Sequence, residues 1–497
     1  MNPPDNTEQS GGFGSVYQQR TQARSEEDEQ ARRVNSFQMQ GFTQQPMNLT
    51  DSAKPIEAQA DLQDLEFHLE GPDGKDYSNK LRSGLKFEEL GLPKDIIHAL
   101  YRVNYKAPSH VQATVLPLLM QHDNINLVCQ SQTGTGKTAA FVIAMLARVD
   151  VTQKCPQALC IAPTRELARQ IITYTNDLAA ENYSLETAIA VRGPEFLKQK
   201  CNAHIIIGTP GTVVSAIQRK VIDTANIKIL VLDEADALLE QGDMGTQSLR
   251  LKRLVGSNTQ VLMFSATFSD RILEFSQHFC PNAAKLTLRK NELTLGNIKQ
   301  IYMDCKDESQ KYQVLVALYH TMTIASSIIF VKRRIVADEI ARRMKEDGHT
   351  VYVLHSALET TAKRDTIIDE FRRGKIKVLI TTNLLARGID VTTTSMVINY
   401  DLPRTMNDTP DFTTYLHRIG RTGRYGRAGV SITFVHDKRS WDELREIQKY
   451  FGAPIYQVPA DDIDVVEELI QKIIKSNKAY SQAALHDLAK SRHANGC

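Results

Sequence analysis

A chain of 497 residues is too long to fold around one hydrophobic core, so we expect two or three domains. Its composition, 42% hydrophobic and 24% charged, is typical of a globular protein. The net charge of only +2 excludes a protein that binds nucleic acid through an overall basic field, so any such binding must use local groups. The seven cysteines are odd in number and show no Cys-x-x-Cys spacing, which favours a reduced intracellular protein over a disulfide framework or a zinc site. We find no signal peptide and no apolar stretch of bilayer-spanning length, and expect no membrane insertion.

The N-terminal region is polar. Residues 1–50 contain nine glutamines, an acidic cluster at 26–29 and few large aliphatic residues. Such a segment cannot bury enough apolar surface to offset its ordering entropy, so we predict disorder. A solubilising tail and a regulatory or partner-binding segment both remain open. Residues 52–69 have apolar side chains at helical spacing, which predicts one marginal amphipathic helix with a regulatory role as a hypothesis.

From about residue 85 the chain alternates apolar strands with amphipathic helices, the rhythm of a doubly wound parallel sheet. Predicted strands of the first series are Asn126–Gln130, Ala158–Ala162, Thr187–Val191, Ala203–Gly208, Ile229–Leu232 and Gln260–Ser265. Those of the second series are Ile298–Met303, Ser327–Val331, Val351–Leu354, Val378–Thr382, Met396–Asn399 and Val430–Phe434. We therefore predict an α/β fold with an N-terminal extension over 1–84 and domains over 85–288 and 298–477. A polar linker over 289–297 joins the domains, a closing helix covers Asp462–Lys475, and a tail covers 478–497.

A glycine-rich loop lies between the first strand and the helix that follows it. It comprises Ser131, Gln132, Thr133, Gly134, Thr135, Gly136, Lys137 and Thr138. Glycines at 134 and 136 let backbone N–H groups turn towards phosphate oxygens. Lys137 adds a positive charge at the β- and γ-phosphates, and the Thr138 hydroxyl is a candidate Mg²⁺ ligand. The loop departs from the usual phosphate-binding pattern because Ser131 stands where Gly or Ala is common.

Two carboxylates follow the apolar run Ile229–Leu232. Asp233 is the candidate magnesium ligand, either directly or through water, and Glu234 is the candidate general base for the attacking water. Ligands bind in such folds outside the carboxyl ends of the strands, where these acids lie. Upstream, Tyr105 could stack on an adenine and the amide of Gln112 could bond its N6 and N7. These residues predict an ATP site.

The motifs together resemble the DEAD-box RNA helicases over about residues 87–451. Tyr105–Gln112 resembles the adenine-reading motif of that family, 131–138 its motif I, and the Asp-Glu-Ala-Asp sequence at 233–236 its motif II. Matches to motifs Ia, Ib, III, V and VI begin at Pro163, Thr209, Ser265, Thr381 and His417, respectively. The resemblance implies two RecA-like domains in tandem, separated by a cleft, and an RNA-dependent ATPase that uses Mg²⁺ with ATP.

The resemblance also assigns roles in the second domain. Arg421 and Arg424 match arginine fingers, which neutralise charge on the γ-phosphate, and Asp390 matches a residue that contacts ribose or orients the fingers. A patch that binds RNA phosphate is the alternative for motif VI, in which Arg418 has a structural role. Because these groups come from the second domain, hydrolysis is expected to require domain closure.

The family binds RNA mainly through backbone phosphates and 2′-hydroxyls. The matching first-domain positions are Thr164, Arg165, Gly193, Thr209 and Gly211, and those of the second domain are Thr381 and Arg387. The expected partner is single-stranded RNA or an mRNA–protein particle, bound by a monomer.

Departures from the common motifs resemble one branch, which acts in mRNA export at the nuclear pore. They include Ser131 in the phosphate loop, Arg192 before Gly193, the segment Gly242–Lys252 and a long connection over 404–414. This branch implies a nucleoporin and an export activator bound to inositol hexakisphosphate as partners, with the protein in nucleus and cytoplasm and concentrated at the cytoplasmic face of the pore. The alternatives are a helicase of the translation-initiation type and an ATP-gated RNA clamp with little turnover.

Overall fold

The computed structural model describes residues 67–75, 85–121, 125–130, 135–180, 184–193, 196–240, 242–288, 298–321, 326–355, 361–383, 394–405, 407–423, 429–453, 455–458 and 460. The predicted disordered segment over 1–50, most of the predicted helix over 52–69, the linker over 289–297, the helix Asp462–Lys475 and the tail lie outside these residues. No helix in the described part of the chain is long and apolar enough to cross a bilayer.

Fifteen strands are described. They are β1 (Phe67–Glu70), β2 (Leu127–Gln130), β3 (Ala158–Ile161), β4 (Thr187–Ala190), β5 (Ile205–Gly208), β6 (Ile229–Leu232), β7 (Gln260–Ser265), β8 (Ala284–Leu288), β9 (Ile298–Asp304), β10 (Ser327–Phe330), β11 (Val351–Leu354), β12 (Val378–Thr381), β13 (Met396–Asn399), β14 (Gly429–Val435) and β15 (Tyr456–Val458). The predicted strands are therefore present, with ends shifted by at most two residues.

The described α-helices lie between the strands. They are α1 (Lys94–Arg102), α2 (His110–Gln121), α3 (Lys137–Arg148), α4 (Arg165–Leu178), α5 (Pro210–Gln218), α6 (Ala235–Glu240), α7 (Met244–Leu254), α8 (Asp270–Phe279), α9 (Glu308–Thr321), α10 (Arg334–Glu346), α11 (Thr361–Arg372), α12 (Phe412–Ile419) and α13 (Lys438–Phe451). Hydrophobic clusters cover both faces of the first sheet, which is why strands such as β6 are apolar throughout.

The two sheets share one topology. The first has the order β1-β8-β2-β7-β6-β3-β5-β4 and the second the order β11-β12-β10-β13-β14-β9-β15. Without β1, and with the second sheet read from β15, both sheets place their seven parallel strands in the same order of succession. Corresponding strand ends therefore occupy corresponding places, and β9 and β13 are the counterparts of β2 and β6.

The N-terminal boundary of the first sheet differs from the prediction. Residues 67–70 form β1, which pairs antiparallel with β8, so the sheet begins inside the stretch assigned to the extension. The predicted helix is wrong over these residues. Leu69 pairs with Leu286 and is 8% exposed, and the Glu70 carboxylate lies 3.2 Å from Lys285 Nζ. The open edge of β8 offers backbone hydrogen bonds that outweigh the weak helical periodicity.

The described residues all belong to one compact unit, Ile56–Cys497. Among these residues, side chains of the first sheet's domain contact those of the second at two places, described below. The cleft between the sheets is lined by the carboxyl ends of parallel strands, so the loops that carry the motifs face one another.

Candidate active site and RNA interface

The glycine-rich loop ends at the N-terminus of α3. Gly136 is the N-cap residue and has φ of +90°. A Cβ at this position would lie 2.5 Å from Gln112 Nε2 and 2.7 Å from Ser109 Oγ, so only glycine fits. Helix α3 then directs its first-turn N–H groups, with Lys137 and Thr138, towards the loop. Residues 131–134, which include Ser131, Gln132, Thr133 and Gly134, lie outside the described residues, while Thr135 is buried.

Gln112 is held against this loop. Its Nε2 donates to the Gly136 carbonyl at 3.2 Å, and its Oε1 accepts from the Ser109 N–H at 3.0 Å. The side chain is 1% exposed. Tyr105 lies nearby on the connection between α1 and α2, with its hydroxyl 2.9 Å from that of Tyr174. Of the two predicted adenine-binding residues, Gln112 therefore contacts the loop directly, through the Gly136 carbonyl.

The carboxylate pair follows β6 as predicted. Asp233 is 4% exposed, and burial, followed by repulsion from the Glu234 carboxylate, raises the pKa of Asp233 to about 7. Lys137 opposes this shift without cancelling it. Glu234 has a φ of +48°, a left-handed conformation that is strained for glutamate and typical of functional sites. Its N–H donates to Asp233 Oδ1 at 2.9 Å, which fixes the two acids relative to each other.

Asp236 connects three motifs. Its Oδ2 accepts hydrogen bonds from the N–H groups of Ala266 and Thr267 at 3.2 and 3.3 Å, and from the Thr267 hydroxyl at 3.3 Å. The same oxygen lies 3.3 Å from Nε2 of His417, which belongs to the second domain. Since Asp236 and His417 are both almost fully buried, this pair is a close contact across the cleft. The Thr267 and Thr413 hydroxyls, 3.3 Å apart, form a further hydrogen bond at the same place.

Helix α12 carries motif VI. Arg421 follows it, is 2% exposed, and donates from Nε to the His417 carbonyl at 3.1 Å. Arg418 is buried and donates to Asn383 Oδ1 at 2.6 Å and to the Asp401 carbonyl at 2.6 Å. Burial lowers the pKa of Arg418 to about 10. Arg418 is therefore structural, whereas Arg421 lies on the turn that faces the first domain. Arg424 and Asp390 lie outside the described residues.

The predicted RNA-binding residues of the first domain share one edge. Thr164, Gly193 and Thr209 follow the carboxyl ends of β3, β4 and β5, respectively. Thr164 caps α4, with its hydroxyl accepting from the Leu167 N–H at 3.2 Å. Thr209 precedes α5, and Gly211 lies in the first turn of that helix. The backbone N–H groups of helix N-termini at this edge suit a phosphate chain.

Arg165 has a partner that sequence reasoning missed. Its Nη2 lies 2.7 Å from Asp365 Oδ2 on α11, and Arg169 pairs with the same carboxylate. Arg364 Nη1 lies 3.8 Å from Glu166 Oε1. Each of the helices α4 and α11 therefore contributes an arginine that pairs with an acid on the other helix. These ion pairs are the second contact between the domains. Nothing in the sequence signals a pair of residues 200 positions apart.

Thr381 does not fit its predicted role. It is fully buried at the end of β12, and its hydroxyl donates to the Leu354 carbonyl at 2.7 Å. The hydroxyl therefore ties β12 to β11 rather than facing RNA, because the strand end is covered. Arg387, the other second-domain candidate, lies outside the described residues.

Comparison with known proteins agrees with these motifs. A family model described as DEAD/DEAH box helicase matches residues 109–275, and one described as helicase conserved C-terminal domain matches residues 310–426. ATP-dependent RNA helicase dbp5 of Schizosaccharomyces pombe is 45% identical over 471 residues, which are 94% of this chain and 91% of the relative. The chain belongs to the DEAD-box ATP-dependent RNA helicases. The predicted family, the fold of two RecA-like domains and the ATP-hydrolysing activity are thereby confirmed.

Two solved structures of Saccharomyces cerevisiae Dbp5 are similar to this DEAD-box helicase. One, bound to RNA and ADP BeF3, is 47% identical and has a TM-score of 0.76, covering 78% of this chain and all of that chain. The other, a variant bound to Nup159, a Gle1 variant, IP6 and ADP, is 45% identical at the same coverage, with a TM-score of 0.57. By TM-score, the structure is therefore more similar to the form bound to RNA and ADP BeF3 than to the form bound to Nup159, the Gle1 variant, IP6 and ADP.

Proposed function

We propose that RNA bound across both domains closes the cleft and that ATP is hydrolysed only in this closed arrangement. The contact between His417 and Asp236 supports the proposal most directly, since it joins motif VI to the segment that carries Glu234. Each half of the site is incomplete alone. The first domain has the phosphate loop and the acids, and the second has the arginines that neutralise developing charge.

The roles of the individual residues follow from charge and position. Lys137 binds the β- and γ-phosphates, and Glu234 accepts the proton of the attacking water. Arg421, with Arg424, stabilises charge on the γ-phosphate as the bond to the leaving ADP breaks. Asp390 contacts the ribose or orients the arginines.

The adenine end of the site is formed by Tyr105 and Gln112. Because Gln112 also bonds to the Gly136 carbonyl, adenine binding and the shape of the phosphate loop are coupled through one side chain. The shape of the phosphate loop would therefore depend on whether the bound triphosphate carries an adenine.

Thr138 and Asp233 are the residues that would hold Mg²⁺. A buried carboxyl whose pKa is raised to about 7 beside a second carboxylate is an environment that a divalent cation stabilises, so the donor set fits the ion. When bound, Mg²⁺ would supply neutralisation of phosphate charge. Asp233 must lose its proton to act as a ligand.

RNA contacts are assigned to Thr164, Gly193, Thr209 and Gly211, with Arg387 from the second domain. Main-chain donors at this edge match phosphate oxygens, which favours recognition of the backbone over base sequence. Arg165 contributes through its ion pair with Asp365, because that pair holds the RNA-binding edges of the two domains together.

We infer a role in mRNA export at the nuclear pore, where the protein would remodel mRNA–protein particles as a monomer on the cytoplasmic face. Relatives of this chain are Dbp5 helicases, and one was solved with Nup159, Gle1 and IP6. A corresponding nucleoporin and an activator bound to inositol hexakisphosphate are the proposed partners. A helicase of the translation-initiation type is the nearest alternative, and the long connection over 404–414 is the feature that argues against it.

A binding and crosslinking experiment tests this assignment. Crosslinking in cells should enrich the protein on exported mRNA and at pores, and the purified chain should bind the homologous nucleoporin. Absence of both enrichments would reject the export role while leaving the ATPase intact. Stimulation of ATP turnover by the activator with inositol hexakisphosphate would extend the same test to the second partner.

A further inference from the structure

One basic surface lies beside the RNA-binding edge and belongs to none of the motifs. It is the outer face of α7, which packs against α5. Gly245, Ser248 and Leu251 are buried on the inner side of α7, whereas Thr246, Arg250 and Arg253 are exposed. Helix α7 therefore borders the helix whose first turn carries Gly211.

Gln247 of α7 lies against Gly211 of α5. Its Oε1 lies 3.0 Å from the point that a Cβ on Gly211 would occupy, and its Nε2 lies 3.7 Å from that point. Any larger side chain at 211 would press on this amide. Gln247 thus covers the first turn of α5, the place where Thr209 and Gly211 are proposed to bind the RNA backbone.

The polar groups here are open to a ligand. The Gln247 amide has no hydrogen-bond partner among the described residues. The Thr209 hydroxyl donates to the Thr212 hydroxyl at 3.4 Å and does not cap α5. The first turn of α5 also contains no acidic residue. An amide that can both donate and accept, placed over uncapped N–H groups, matches the mixed acceptors and donors of phosphate and a 2′-hydroxyl.

The charge of α7 has a single sign. Residues 244–254 include Arg250, Lys252 and Arg253 and no acid. Within the described part of the chain none of these three cations forms an ion pair. Arg342, on the exposed face of α10, shows the contrast, because it pairs with both Glu339 and Glu346. Clustered cations without counter-charges repel one another, and a polyanion relieves that repulsion.

We propose that α7 extends the RNA path of the first domain beyond motif Ib. Gln247 contacts the sugar–phosphate backbone beside Gly211, and Arg250 and Arg253 bind phosphates of the adjoining nucleotides. Gln247 and Arg250 are three residues apart and so lie next to each other on the helix surface. The ligand is single-stranded RNA read without base specificity, and the inference rests on the proposed RNA-binding role of Thr209 and Gly211.

Salt-dependent RNA binding tests the proposal with the full chain and a non-hydrolysable ATP analogue. We would compare the wild type with Arg250→Gln/Arg253→Gln and with Gln247→Ala, using fluorescent oligouridylates of about 8 and about 20 nucleotides. Losing two phosphate contacts should reduce the slope of log K against log salt by about 1.4 on the longer RNA. Gln247→Ala should weaken binding of both RNAs about fivefold and leave the slope unchanged.

Arg219→Gln is the matched control, because Arg219 is an exposed arginine at the opposite end of α5. It should leave affinity and slope unchanged. An unchanged slope in the double variant, or an equal loss in Arg219→Gln, would overturn the proposal. A double variant that binds RNA normally but fails to bind an acidic partner protein would also overturn it. A wild-type chain whose ATPase ignores RNA would instead reject the proposed function itself.

Discussion

The same strand order supports a ligand-binding site in the first domain and an internal ion pair at the equivalent edge of the second. In the first, six residues join β2 to α3, Lys137 begins the helix, and Asp233 follows β6. In the second, three residues join β9 to α9, Lys311 is the fourth residue of that helix, and Asp401 is the second residue after β13. There Lys311 Nζ lies 3.1 Å from Asp401 Oδ1, and the lysine is 1% exposed.

This difference separates what a fold supplies from what its residues do. Both sheets bring a lysine and a carboxylate close to the ends of two strands that flank one central strand. In the second domain the two charges neutralise each other, and Asp401 also accepts the Lys332 N–H at 2.8 Å. In the first domain the pKa of Asp233 stays raised despite Lys137, so its charge is not balanced within the protein. We conclude that the charged groups of the first domain's site are available to bind a nucleotide. Those of the second domain's site form an ion pair that stabilises the fold.

The largest effect is expected at Glu234, the candidate general base. Glu234→Gln should lower the rate of ATP hydrolysis at saturating RNA by about 1,000-fold, since it removes the general base. Affinity for ATP and for RNA should persist, trapping the closed complex. Single-turnover hydrolysis and filter binding measure the two properties. Normal turnover in this variant would remove Glu234 from the mechanism.

Replacing Lys137, the lysine of the first domain's site, should affect ATP binding. Lys137→Ala should weaken ATP binding about tenfold to 100-fold through loss of a charged phosphate contact. Thermal unfolding without nucleotide should resemble that of the wild type. Fluorescent-nucleotide titration measures the affinity, and an unchanged value would contradict the assigned role.

Replacing Lys311, the lysine of the second domain, should lower stability and leave ATP affinity unchanged. Lys311→Met leaves Asp401 without its buried partner and should lower the free energy of unfolding of the second domain by about 3–5 kcal/mol. Its ATP affinity at a temperature where the protein remains folded should not change. Lys306→Met, an exposed lysine in the preceding loop, is the control. A loss of ATP affinity in Lys311→Met with normal stability would refute the contrast between the two sites.

A smaller effect is expected at the contact that joins the domains beside the acids. Asp236→Asn removes the charge that faces His417 and holds the N–H groups of motif III. It should slow hydrolysis at saturating RNA about tenfold, because an acceptor for several buried donors is weakened. Asp177→Asn, an exposed acid at the end of α4, should have no effect. Steady-state rates decide, and equal rates would show that the contact is dispensable.

The smallest effect is expected at the ion pairs of α11. Asp365→Asn should reduce RNA affinity in the presence of an ATP analogue about fivefold, since partly exposed pairs contribute at most about 1 kcal/mol. Binding without nucleotide should be unaffected, because the pair forms only between closed domains. Asp369→Asn is the matched control, as its carboxylate pairs, within the part of the chain that the structure describes, with Arg372 of the same helix. A loss that occurs without nucleotide would place Asp365 in RNA binding instead.

The strands were predictable where burial is complete. Continuous apolar runs such as Ile229–Leu232 and Met396–Asn399 have the predicted ends, because both faces of those strands are covered. The short edge strands β1 and β15 were missed, since three or four residues of mixed polarity show no distinctive period. Strand β8 (Ala284–Leu288), at the end of the predicted first domain, was also missed.

The site was predictable where a motif determines local chemistry. The phosphate loop and the acids after β6 follow from residue types and spacing. Tertiary contacts were not predictable. The pairs Arg165–Asp365 and Asp236–His417 join residues that are far apart in sequence. The burial of Thr381 was also hidden, because its motif does not show which strand end is covered.

Steady-state ATP turnover of the full chain, measured with and without saturating single-stranded RNA, tests most directly whether the second domain completes the active site. We expect slow turnover without RNA and a large increase with it, and Arg421→Ala should abolish the increase while ATP still binds. Equal turnover with and without RNA would contradict the account, because the first domain would then be sufficient. Absence of turnover in both conditions would instead favour an ATP-gated RNA clamp.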